Sequence, residues 1–131
     1  MIDEAEEAPI FDYRGTLHRL GGSRELFFDL AHFFVEDSDK LLERLHSALE
    51  RRDHHGIESA IHSLKGLIAN FGAPRATFIA IEAEQCAHSG KLDDVVQIYP
   101  RLVDAVHTLR NALSLATDAP SSAHLDRPSP Q

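Results

Sequence analysis

The chain has 131 residues, a formal net charge of −8 and one cysteine, which is room for one domain with a single core and excludes an internal disulfide. Asp3, Glu4, Glu6 and Glu7 crowd the N-terminus, while residues 12–115 hold 12 Lys or Arg against 15 Asp or Glu, so no basic run exists to neutralise nucleic-acid phosphates or to form a membrane patch. No apolar run approaches the roughly 20 residues of a membrane span, the N-terminus is unlike a signal peptide, and the lone Cys86 suits a reducing compartment as a small half-buried hydrophobe, so a soluble cytoplasmic protein is expected.

Residues 1–10 are acidic, carry Pro9 and show no usable period, which predicts a disordered tail. Asp12 caps a short first helix running to about Leu20, with Phe11, Leu17 and Leu20 as its apolar contacts, and Gly21-Gly22 breaks it. Ser23 is the N-cap of a long helix to about Arg52, with Glu25 in its first turn, where the helix dipole favours an anion. Its apolar stripe, Leu26, Phe27, Leu30, Phe33, Phe34, Leu41, Leu42, Leu45, Ala48 and Leu49, is interrupted by a stretch from Glu36 to Lys40 that reads as solvated. Asp53-His54-His55-Gly56 connects tightly to a helix around His62 that Gly72 ends. Pro74 suits the first turn of the next helix, which runs to about Ser89 with Phe78 and Ile81 inward, Ala80, Ala83 and Ala87 permitting close packing, and Gly90 as its stop. A last helix from about Leu92 to Leu115 repeats Leu92, Val95, Val96, Tyr99, Leu102, Val103, Val106, Leu109 and Leu113, with Pro100 expected to kink it or to start its second half. From Thr117 the Pro- and Ser-rich chain reads as a disordered tail. The expected fold is all-α: an antiparallel up-and-down four-helix bundle over residues 11–116 with a short additional N-terminal helix.

The helix around His62 holds the chemistry. Ile57, Ile61, Leu64, Ile68 and Phe71 recur at spacings of three and four and form the core stripe. A second stripe, Glu58, His62, Lys65, Gly66 and Ala69, is polar at its start and nearly bare at its end. Glycine inside a helix costs about 1 kcal/mol relative to alanine, so Gly66, one turn beyond His62, marks a place where space is needed. A neutral imidazole carries a nucleophilic ring nitrogen near pH 7, and Lys65 at i+3 can set an ammonium beside an anion attached to that ring. Together these residues read as a perch for a phosphoryl group.

Competing chemistries are poorly served. A four-helix dimetal site needs two Glu-x-x-His pairs; only Glu43-Arg44-Leu45-His46 has that spacing, and Glu84 to His88 is one residue too long. Glu58 and His62 at i and i+4 would bind zinc only with ligands from elsewhere, and no Cys or His cluster offers them. No Gly-rich loop exists to hold a nucleotide, and Cys86 and the serines have no nucleophile motif around them, so autonomous kinase activity is not expected.

His62-Ser63-Leu64-Lys65-Gly66, followed by Ala69-Asn70-Phe71-Gly72-Ala73, resembles the signature of histidine-containing phosphotransfer (HPt) domains of two-component phosphorelays. The likeness extends over roughly residues 13–115: Leu17-His18-Arg19-Leu20-Gly21-Gly22 resembles the family's entry into its long helix, and Ile81-Glu82 with Ser89-Gly90-Lys91-Leu92 resembles its next helix and turn. Ser23 departs from the acidic residue often found after the double glycine, and bulky Leu67-Ile68 stands where small residues are common. The resemblance implies a monomeric phosphocarrier that accepts a phosphoryl group on His62 from a receiver-domain phospho-aspartate and passes it to another receiver. Glu58, Glu84 and Gln85 are candidates for orienting the ring, Lys65 for offsetting phosphoryl charge, Gly66 and Ala69 for clearance, and Phe27, Phe28 and Leu67 for docking. No cofactor is expected on this chain, the magnesium ion belonging to the receiver. Two other readings stand beside this one: the phosphoacceptor module of a larger histidine kinase, against which Met1 and the tails suggest a complete small protein, and a helical adaptor that has lost phosphotransfer.

Overall fold

Side-chain oxygens start three of the five helices among the described residues. Asp12 accepts from the Gly15 N–H, Ser23 from Leu26 and Asp53 from Gly56, each satisfying an amide that the first helical turn leaves unpaired. They open α1 (Tyr13–Arg19), α2 (Arg24–Glu50) and α3 (His54–Ala69); Pro74 begins α4 (Pro74–His88), and α5 is Leu92–Asp126. The computed structural model describes the backbone of residues 9–126 and the side chains of residues 9–117, so the expected acidic tail apart from Pro9 and Ile10, and residues 127–131 of the expected C-terminal tail, lie outside the described residues. No helix among the described residues is long and apolar enough to cross a membrane.

The long helices pack in a ring, α2 on α3, α3 on α4, α4 on α5 and α5 on α2, joined by short turns into an up-and-down bundle. Ile57, Ile61, Leu64, Ile68 and Phe71 are all fully buried, as the period of α3 predicts. Burying one such side chain is worth about 1.5–3 kcal/mol, so this stripe fixes which way α3 faces.

The short α1 locks the end of α3. Asp12 N–H donates to Phe71 O (2.9 Å), and Arg19 Nη2 donates to Asn70 O (3.1 Å), so carbonyls that the helix end leaves unpaired find donors in α1. Beneath it lies an aromatic cluster in which Phe27 stacks on Phe11 (centroids 6.1 Å apart) and meets Tyr13 (5.0 Å) and Phe71 (6.2 Å) edge-on.

Several sequence expectations change at this level. Phe78 is 68% exposed and Ile81 40%, while Ala76, Ile79, Ala80, Ala83 and Ala87 face the core. Small residues let α4 approach its neighbours closely, and that contact turns the two larger side chains outward. Leu26, Phe33 and Val96 leave their predicted stripes for the surface in the same way. The stretch from Glu36 to Lys40 is no solvated break: Ser38 points inward, fully buried, and keeps the stripe in phase. Pro100 does not interrupt α5. It and Val96, whose carbonyl loses its partner, are both exposed, so water can take the place of the missing N–H. The same helix continues to Asp126, past Leu115 where the periodicity fades.

Candidate functional site

His62 stands two turns before the end of α3, with its side chain 73% exposed. Opposite it on α4 is Glu84, whose two oxygens are divided. Oε2 accepts from His62 Nδ1 at 2.8 Å, and Oε1 lies 2.6 Å from Lys65 Nζ. The Lys65 ammonium first, then His62, hold the Glu84 carboxyl below its ordinary range, while partial burial pushes the other way. An ionised carboxylate only accepts, so in the neutral imidazole the proton sits on Nδ1 and the lone pair on Nε2, the ring nitrogen away from Glu84.

Gly66, one turn on, is exposed, and a Cβ built there would meet nothing within 4 Å. Gly66 therefore faces open space. Ala69 is exposed beyond it, and Leu67 and Phe28 are half-buried.

Of the three carboxylate or amide side chains that could orient the ring, Glu84 makes the contact. Glu58 does not: its Oε2 accepts from His88 Nδ1 at 2.8 Å, and its Oε1 lies 3.7 Å from His54 Nε2. Although one turn from His62 on the same helix, it reaches across to α4. Gln85 is exposed and lies one residue out of phase with the α3-facing side of α4. Phe27 also leaves the docking set, since it is fully buried under α1 and unavailable to a partner. Among the described residues, no three His, Cys, Asp or Glu side chains group in a way that could hold a metal ion.

With this geometry in place, comparison with known proteins is decisive. The Hpt domain family model matches residues 29–115. The chain belongs to the Hpt family. As an HPt domain it is a histidine phosphotransfer protein of phosphorelays, and its helical bundle has solved counterparts. It is similar to histidine-containing phosphotransfer protein B from Pseudomonas aeruginosa PAO1, with 25% identity and a TM-score of 0.78 over 86% of this chain and 97% of that one. The HPT domain of a sensor hybrid histidine kinase from Shewanella shares the fold, with 17% identity and a TM-score of 0.75 over 84% of this chain and 95% of that one. A search of curated protein sequences gives no significant match.

Proposed function

We propose that His62 is the phosphoacceptor, and that this HPt domain carries phosphoryl groups between receiver domains, taking them from one phospho-aspartate and delivering them to the aspartate of another receiver. The observation that supports this most directly is the bond from His62 Nδ1 to Glu84 at 2.8 Å, which leaves an exposed, unprotonated Nε2. The Nε2 lone pair attacks phosphorus in line, the P–O bond to the aspartyl carboxylate breaks, and the oxygen leaves with the bonding pair. No proton has to be removed from the nucleophile. The ring becomes an imidazolium, whose Nδ1–H already faces the Glu84 carboxylate, so the new positive charge is met by a carboxylate already in position. Lys65 balances Glu84 at rest, and its ammonium lies within one helical turn of the incoming phosphoryl charge.

Such a transfer needs alignment and charge compensation more than covalent work by the protein, so this chain serves as a carrier without catalysis of its own. The magnesium ion is expected in the receiver, and no cofactor is assigned to the carrier. In this reading the receiver docks over Gly66, Ala69, Leu67 and Phe28, and the carrier acts as a cytoplasmic monomer.

The test is His62→Gln, incubated with a cognate phospho-receiver. Rapid, acid-labile and alkali-stable labelling should disappear while the helical circular dichroism stays the same. Undiminished transfer to the variant would falsify the assignment.

A further inference from the structure

The α3–α4 hairpin carries one pattern twice. Glu58-x-x-x-His62-Ser63-x-Lys65 on α3 is matched, type for type and offset for offset, by Glu84-x-x-x-His88-Ser89-x-Lys91 on α4 and the turn after it. The helices run antiparallel, so each glutamate faces the other segment's histidine. His62 Nδ1 bonds to Glu84 Oε2 and His88 Nδ1 to Glu58 Oε2, both at 2.8 Å.

His88 is the more open of the two, its side chain 82% exposed against 73% for His62. The geometry is the same: a carboxylate accepting from Nδ1 leaves the lone pair of the neutral ring on Nε2. Among the described residues only these two histidines reach a carboxylate through Nδ1. His46, His54 and His107 approach their carboxylates through Nε2 instead, the nitrogen a phosphoryl group would need.

We propose that His88 is a second phosphoryl-accepting histidine, taking the group on Nε2 from small high-energy phosphate donors such as phosphoramidate, with Glu58 as its positioning residue. The donor is small because the clearance Gly66 gives His62 has no counterpart here: the chain reverses at once through Ser89-Gly90-Lys91, with Gly90 at φ +76°. In the transfer a P–N(His) bond forms as the donor's own P–N bond breaks, and ammonia leaves with that pair. The ring becomes an imidazolium whose Nδ1–H rests on Glu58. Lys91, exposed and without an ion pair among the described residues, stands three residues on, as Lys65 does from His62. One effect opposes the site. His88 is the last residue of α4, where the negative end of the helix dipole disfavours an added anion, so labelling should run about two- to five-fold slower than at His62.

This site goes beyond the relay reading and stands whether or not His62 accepts from a receiver. The test uses the full chain with potassium phosphoramidate at neutral pH, with phosphoryl groups mapped by mass spectrometry under alkaline conditions and folding checked by thermal melt. The wild type should take up two groups, at His62 and His88, and His62→Gln should retain the one at His88. Glu58→Gln should slow His88 by about five-fold or more while sparing His62, and Glu84→Gln should do the reverse. His18, His32 and His55, which make no carboxylate bond among the described residues, are internal controls. The proposal is overturned if His88 is labelled no faster than these three, or if Glu58→Gln leaves its rate unchanged. Neither result would touch the receiver assay on His62.

Discussion

Gly66 separates function from folding more cleanly than any other residue of α3. It lies in the fourth turn of a sixteen-residue helix, exposed, and beyond the backbone of its own helix nothing comes within 4 Å of where a Cβ would stand. Relative to glycine, alanine restricts the unfolded chain and favours the helix by about 1 kcal/mol, and leucine has nearly the same propensity. With no steric cost to subtract, Gly66→Ala and Gly66→Leu should each raise the unfolding free energy by about 0.5–1 kcal/mol, or Tm by roughly 2–5 °C. Transfer should move the opposite way. A side chain at i+4 leans back toward the turn that holds His62, where a receiver's acidic pocket must close to bonding distance of phosphorus. Alanine should cost a few-fold in rate. Leucine, with three more carbons in the path, should cost about 100-fold, the order expected when reacting atoms are held an ångström too far apart. Thermal denaturation followed at 222 nm and single-turnover transfer from a phospho-receiver measure the two effects on the same samples. A Gly66→Leu protein that unfolds would show that the face is packed, and one that transfers at the wild-type rate would show that the receiver does not close over it.

Lys65→Ala should slow transfer and shorten the lifetime of the phosphohistidine while moving Tm by only a degree or two, because a partly exposed ion pair contributes tenths of a kcal/mol to folding; an unchanged rate and lifetime would reduce Lys65 to a solubilising residue. Glu84→Gln should slow transfer by roughly 5- to 30-fold, the loss of about 1–2 kcal/mol from a charge-assisted hydrogen bond to the imidazolium. Since the folded state lowers Glu84 below its ordinary value of 4.5, its contribution to stability is fully present above that pH and is lost as pH falls through the folded pKa. The wild type should therefore lose its small advantage over Glu84→Gln only on the acid side, and an equal difference at every pH would contradict this. Ser38→Ala should raise stability by about 1–2 kcal/mol in a denaturant titration, since the buried Ser38 Oγ has no hydrogen-bond partner among the described residues; a loss of stability would mean that the hydroxyl is paired.

The residues on α3 are legible in the sequence because they answer to one helix. His62, Lys65 and Gly66 are related by a known rise and rotation, and the fully buried stripe from Ile57 to Phe71 sets which face they share. Two caps are legible for a similar reason: Asp12 and Ser23 bond to amides only three residues away, while Asp53, which the sequence places in a connection, caps α3 in the same way. What the sequence cannot decide is anything that depends on how one helix sits against another. Glu58, Glu84 and Gln85 are equivalent as text, and only the offset between α3 and α4, set by alanine packing, gives Glu84 to His62 and sends Glu58 to His88. Phe27 reads as a docking aromatic until α1 folds across it, and Phe78 as core until the alanine face of α4 takes the inward position. Periodicity specifies that a helix has an apolar side, but it does not say which of two adjacent stripes wins. That choice is made by the volume each neighbour leaves, so the proposed acceptor is readable from one helix and the carboxylate that meets it requires two.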